Sequence, residues 1–216
     1  MTWELNFLEW LTRASENPSL NWLSWILDIF SLSCDKGLIW IVAAIVMLFF
    51  KKWRKTGIVL GFALIVFAML GNNIIIKYAV HRIRPLYIGT TGAELLSRVQ
   101  HWMLPVDSSF LGFFEVPDAN SYSFMSGHSF SSALCATIIF NYHKKTGVVA
   151  IIVATIIAFS RLYFGVHFPT DVIAGIICGA ACGILTIFLA NKFYDKIIAW
   201  VVRLFSKKKK EEQPSA

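Results

Sequence analysis

The chain has 216 residues, 56% of them hydrophobic and only 15% charged, with a mean hydropathy of +0.62. A soluble domain of this length has no room to bury so much apolar surface, so the composition excludes an ordinary soluble fold and points to helices that use lipid as solvent. The net charge of +7 would suit a nucleic-acid partner in a soluble protein, but here the lysines and arginines fall between apolar segments, where topology accounts for them.

Residues 3 to 13 place Trp3, Leu5, Phe7, Leu8, Trp10 and Leu11 at helical spacing, which predicts a short amphipathic helix lying in the membrane interface. Asn17-Pro18 ends it, so 1–18 form an N-terminal interfacial segment. Its mixed charge, with no small-residue site behind an apolar core, predicts that it is not a cleaved signal peptide. Six apolar segments follow, at 19–33, 37–50, 56–76, 128–142, 146–163 and 169–191. They predict an all-α, six-helix transmembrane bundle as one domain over 19–200, with a basic cytoplasmic tail at 201–216. The first segment is short and contains Asp28, so a re-entrant course is the alternative there.

Charge sets the expected orientation. With both termini cytoplasmic, most of the 20 lysines and arginines lie inside, and only Lys36, Lys77, Arg82, Arg84, Arg98 and Arg161 lie outside. Two outer connections result, a long one from Lys77 to about Gly127 and a short one around Leu162 to Phe168. Of the four cysteines, Cys178 and Cys182 share a helix face and read as small residues at a tight helix contact rather than as a metal or disulfide pair.

The polar chemistry collects in three clusters at the outer ends. Lys77 and Arg84 are seven apart, which on a helix puts two cations on one face, before Pro85 ends it. Ser126-Gly127-His128 opens the fourth segment with an N-cap, a residue that permits close backbone approach and an imidazole, at a helix start suited to phosphate. Ser160-Arg161, His167 and Asp171 flank the last two segments, and the four-residue spacing lets the Asp171 carboxylate reach the imidazole and raise its basicity as nucleophile or base. Each cluster has a plainer reading: a basic helix end reaching for headgroups, simple capping beside a surface histidine, and a structural His–Asp pair. Together they place three cations, two helix starts and two histidines on one side of the membrane, an arrangement whose natural guest is a phosphoryl group. His128, His167 and Asp171 are metal-ligand types, but Lys77, Arg84 and Arg161 would repel a dication at the same point, so neither metal nor other cofactor is expected.

These motifs resemble the type 2 phosphatidic acid phosphatase superfamily of integral membrane lipid phosphatases. Lys77 with Arg84-Pro85, Ser126-Gly127-His128, and Ser160-Arg161 with His167 and Asp171 match that family in order and spacing, over about residues 20 to 190. One departure is Met125, which stands where the family has proline before Ser-Gly-His. The resemblance implies that His167 attacks phosphorus to form a phosphohistidine, that Asp171 orients it, and that His128 protonates the leaving lipid oxygen. It implies phosphate binding by Lys77, Arg84, Ser126, Gly127, Ser160 and Arg161. The expected protein is a multi-pass cell-membrane enzyme with an extracytoplasmic site. Its first-choice substrate is a polyprenyl (undecaprenyl) pyrophosphate, and phosphatidate or phosphatidylglycerol phosphate is the alternative. A lipid-phosphate binder or transporter is the non-enzymatic rival. Phe110, Phe113 and Phe114 are candidates for substrate choice, and His81, Arg82 and His101 are read as outer supports of the site or as incidental, because they fall outside the motif positions.

Overall fold

Within lipid no water is available to backbone N–H and C=O groups, so long apolar runs satisfy them internally as helices. The computed structural model describes residues 2–100 and 122–211, and among them there is no strand. Helix α1 spans Thr2–Arg13, and two 3-10 turns at Ala14–Glu16 and Pro18–Leu20 lead to α2, Asn21–Ser33. The Asn17 side chain caps the second turn by accepting the Ser19 N–H at 3.0 Å. A left-handed step at Lys36 and Gly37 then leads into α3, Leu38–Phe49. Helix α4, Arg54–Ala63, runs on through a wider π-type stretch, Leu64–Ile76, into α5, Lys77–Val80. Helix α6 is Gly89–Gln100, α7 is Gly127–Tyr142, α8 is Lys144–Tyr163 and α9 is Pro169–Glu211.

The outer surface is apolar. Ile41 and Ile45 on α3, Phe62 and Ile65 around the α4 end, and Ile177, Ile184 and Phe188 on α9 are all exposed, which water would penalise and lipid does not. Three helical stretches, Arg54–Tyr87, Lys144–Tyr163 and Pro169–Trp200, are long and apolar enough to cross a membrane, and α2 with α3 make a fourth as a pair bent by 51°. Helix α7 packs along both α8 and α9. Its contact with α9 is made through Gly175, Gly179 and Gly183, one face of α9 at four-residue spacing. A Cβ on Gly179 would sit 2.3 Å from the Phe130 carbonyl oxygen, and one on Gly175 would sit 2.9 Å from that of Ser126. Backbone approach of this kind is what small residues permit between helices that gain nothing from hydrophobic exclusion.

The first two apolar segments meet as the bent pair, and α2 is tied to the ends of its neighbours. Ser24 Oγ bonds the Tyr163 hydroxyl at 2.8 Å, Ser31 accepts from Arg161, and Cys34 Sγ lies 3.4 Å from Ser132 Oγ. All three partners stand at the same end of the bundle, so α2 lies across that end and only α3 leads away, to where Trp53 meets the His143 ring at 5.6 Å. The reason is polar content: Ser24, Asp28 and Ser31 are buried, and Ser24 and Ser31 serve the end of α8 instead of facing lipid. Among the described residues the bent pair α2–α3 joins α4–α5, α7, α8 and α9 in the bundle.

Glu4 of α1 bonds Arg82 and Thr170, beside the start of α9, while α9 runs 43 residues away from that end. Helix α9 stays helical through the basic run to Glu211. The long connection after Lys77 contains α6, whose buried Leu95 joins Leu8, Leu11, Leu86, Tyr163, Phe164 and Phe168 in an apolar cluster beside the larger core of the bundle. Helices α1 and α6 thus cap one end. Phe110, Phe113, Phe114 and His101 lie outside the described residues.

Candidate active site

Lys77 and Arg84 do not share a helix face as the spacing predicts. A residue before proline avoids the helical region, and the helix stops at Val80, with His81 left-handed at φ 52° and Arg84 extended at φ −73°, ψ 151°. The extended run carries Arg84 back to the turn between α8 and α9, where its Nη1 donates to the Val166 carbonyl at 3.0 Å and lies 3.1 Å from His167 Nε2. Lys77 approaches the same place from below: its Nζ is 3.8 Å from where a Cβ on Gly127 would stand. A side chain at 127 would fill the gap between this ammonium and the start of α7.

His167 is buried, at 2% exposure. A guanidinium has no acceptor, so the Arg84 contact requires a lone pair on Nε2 and puts the proton on Nδ1. Nδ1 lies 3.3 Å from Ser123 Oγ and 3.8 Å from Asp171 Oδ2. Asp171 is fully buried and its oxygens are divided. Oδ2 accepts from the Ser123 hydroxyl and from the Phe168 N–H at 3.0 Å, and Oδ1 accepts from Arg82 Nη1 at 2.5 Å. Burial, reinforced by the positive charges of Arg84, Arg161 and Lys77, holds the His167 imidazole well below its ordinary pKa, so the ring is neutral at pH 7.

Arg161 ends α8, where the helix dipole favours a cation. Its Nη1 donates to Ser31, while its buried Nε has no partner. Ser126 caps α7 as the sequence predicts, although Ser129 N stands 3.4 Å from its Oγ, long for a cap. Its own N–H donates to the Asp171 carbonyl at 3.2 Å, which ties the start of α7 to the first turn of α9. His128, in that first turn, stands within electrostatic reach of the cations Arg161, Lys77 and Arg84. Ser160 is buried and donates to the Ile157 carbonyl at 2.7 Å, so its hydroxyl must rotate before it can serve a phosphate oxygen. The structure therefore brings Lys77, Arg84, Gly127, His128, Arg161 and His167 to one end, with Asp171 and Ser126 bracing them.

Three contributors fall outside the motif reading. Arg82 bonds Asp171, Glu4 at 2.7 Å and Thr170 at 2.7 Å, and lies 4.0 Å over the Phe168 ring. The pre-proline rule contained this signal, because an extended run sends Arg82 and Arg84 to the same side. Ser123 and Glu4 carried none, since neither has a fixed spacing to the groups it meets. Replacing Glu4 by glutamine should leave a neutral hydrogen bond to Arg82 in place of a charged one. That change should cost about 1 kcal/mol, seen as a drop of a few degrees in the thermal midpoint in detergent.

The profile of the PAP2 superfamily matches residues 56–195, more than half the chain and all of the site from Lys77 to Asp171. The chain belongs to the PAP2 superfamily. It is 29% identical over 150 residues to an undecaprenyl-diphosphatase of Sulfolobus acidocaldarius, covering 69% of this chain and 62% of that protein, so the match falls short of two thirds of the relative's length. It is 28% identical to the bacitracin transport permease protein BcrC of Bacillus licheniformis, covering 67% of this chain and 68% of that one. A shorter match, 36% identical over 89 residues, joins it to phosphatidylglycerophosphatase B of Bacillus subtilis, with 36% and 42% of the two chains covered. The crystal structure of the transmembrane PAP2 type phosphatidylglycerolphosphate phosphatase from Bacillus subtilis superposes with a TM-score of 0.56 at 24% identity, covering 86% of this chain and 85% of that one. That likeness establishes a shared fold with a transmembrane PAP2 protein.

Proposed function

We propose that this PAP2 protein hydrolyses the phosphate ester or pyrophosphate of a membrane lipid at the extracytoplasmic face, through a phosphohistidine on His167 and without a metal. The observation that carries the reading is the 3.1 Å contact between Arg84 Nη1 and His167 Nε2. It aims the Nε2 lone pair of a neutral, buried imidazole into a group of cations, where a bound phosphate would take the Arg84 N–H and present its phosphorus.

Arg84, Arg161 and Lys77 neutralise the phosphoryl oxygens as charge builds in the transition state, helped by the N–H groups at Gly127 and His128 and by Ser126 and a rotated Ser160. The lone pair of Nε2 forms the N–P bond as the P–O bond to the lipid breaks. His128 gives its proton to the departing oxygen. It then takes a proton from water, whose oxygen displaces His167 and releases inorganic phosphate. Asp171 keeps Nδ1 protonated and offsets the positive charge the ring acquires on phosphorylation. The nucleophile must be unprotonated, and its lowered pKa keeps it so below neutrality. The acid limb of kcat/KM should accordingly lie below the ordinary imidazole value of about 6.5, and a limb at or above that value would contradict the assignment.

Sidedness is supported by charge. Lys51, Lys52, Arg54, Lys55, Lys144, Lys145, Lys192 and Lys196 gather at the end opposite the site, the cytoplasmic end under the positive-inside rule. The N-terminus is then extracytoplasmic and the C-terminus cytoplasmic. The undecaprenyl-diphosphatase relative supports a polyprenyl pyrophosphate as first substrate, and the phosphatidylglycerophosphatase relative supports phosphatidylglycerol phosphate as the alternative. Phosphate release from a panel of both lipids and phosphatidate, with chelator present, tests the reading. Chelator-resistant release from the pyrophosphate is expected. Inhibition by chelator, or lipid binding with no release, would overturn it.

A further inference from the structure

Asp171, four residues after His167, stands where a direct partner of the imidazole is expected, yet its nearer oxygen is 3.8 Å from Nδ1, beyond a hydrogen bond. Ser123 occupies the interval. Its Oγ lies 3.3 Å from His167 Nδ1 and donates to Asp171 Oδ2. It is completely buried, so no solvent competes for its hydroxyl. We propose that Ser123 is the positioning residue through which Asp171 holds and polarises His167.

The hydroxyl is suited to that place because it accepts and donates at once. Nδ1–H donates to Ser123 Oγ, and Ser123 O–H donates to the Asp171 carboxylate, which has no proton to give. The chain of bonds therefore runs in one direction and permits a single tautomer, with the lone pair on Nε2 facing Arg84. When Nε2 bonds phosphorus the ring becomes cationic at Nδ1–H, and the carboxylate stabilises it across the hydroxyl without any proton changing owner.

The remaining contacts make the carboxylate a rigid end to this chain. Arg82 holds Oδ1, the Phe168 N–H shares Oδ2, and the Asp171 carbonyl accepts the Ser126 N–H. Ser123 is fixed in turn, because its own N–H donates to the Arg82 carbonyl at 2.7 Å. It is joined to the nucleophile's partner from the backbone side as well as through its hydroxyl.

This proposal rests on the phosphohistidine reading above, and the two are tested apart. The full-length protein in detergent is assayed for phosphate release from a polyprenyl pyrophosphate and from phosphatidylglycerol phosphate. An inert wild type, or an active His167→Gln, means the phosphatase reading has failed. With an active wild type, Ser123→Ala should lower kcat roughly 10- to 100-fold, as loss of an outer partner does, with KM changed by less than about twofold. Ser123→Thr, which restores a hydroxyl, should recover most of that loss. Ser123→Cys keeps the volume but offers a poor donor and acceptor, so it should behave like alanine while folding normally. Wild-type kcat in either the alanine or the cysteine variant would overturn the role, since Asp171 would then act without the hydroxyl. Equal losses in alanine and threonine, or a loss confined to KM, would overturn it too.

Discussion

His167→Ala should reduce phosphate release by at least about 10,000-fold, the scale on which removing a nucleophile acts, while the protein remains monodisperse and still binds its lipid phosphate. Separation of the two effects is expected because the cations that hold the anion do not depend on the imidazole for their position. Arg84 keeps its bond to the Val166 carbonyl and Arg161 its bond to Ser31. Alanine also leaves Arg84 one acceptor short, which should sharpen its demand for a phosphate oxygen and keep KM or the lipid Kd near the wild-type value. Steady-state release and equilibrium binding of a labelled lipid phosphate read the two quantities. Parallel loss of both would place His167 among the binding groups and remove the proposed nucleophile. Release at the wild-type rate would remove it altogether.

The second large effect belongs to packing. Gly179→Leu should destabilise the protein by about 3 kcal/mol or more, the upper range for overpacking, and lower the thermal midpoint by roughly 10 °C. Its Cβ alone would stand 2.3 Å from the Phe130 carbonyl oxygen and 3.1 Å from two further backbone atoms of that residue. Backbone cannot swing aside as a side chain does, so α7 and α9 must separate or slide. Activity should fall with stability, because α7 carries Ser126, Gly127 and His128 while α9 begins beside His167 and carries Asp171. The Ser126 N–H to Asp171 carbonyl bond spans that seam. Gly71 offers the control: it lies on the π-type stretch with a single neighbour, at 3.5 Å, so Gly71→Ala should be tolerated. A Gly179→Leu protein that melts with the wild type would show that the close approach is not required.

How much of this was legible follows the same physics. Long apolar runs gave α4 to α5, α8 and α9 without ambiguity, because twenty lipid-facing residues have few other uses. The first apolar segment carries its own signal in Asp28, which made a re-entrant course the alternative there. Ser24 and Ser31 are partners for Tyr163 and Arg161, and α2 with α3 forms a pair bent by 51°. The clusters at Lys77, Arg84, Ser126, His128, Arg161 and His167 were read from spacing, and the fold brings them together. The route for Arg84 differed, because proline at 85 ends helical geometry before it. Ser123 and Glu4 escaped notice because they meet the site through tertiary contacts, and a hydroxyl three residues before a helix cap has no periodicity to betray it. Helix α6 was likewise hidden in the long connection after Lys77, since its buried Leu95 gains meaning only against α1.

The central claim is that Nε2 of His167 becomes bonded to phosphorus during turnover. The measurement that tests it most directly is rapid acid-free quenching of the protein with a lipid pyrophosphate labelled at its terminal phosphate, followed by mapping of any label on the chain. A label on His167 that is stable in base and lost in acid, and that is absent from His167→Gln, is predicted. Turnover in which the wild type never acquires label, or acquires it on a serine or aspartate, would contradict the account.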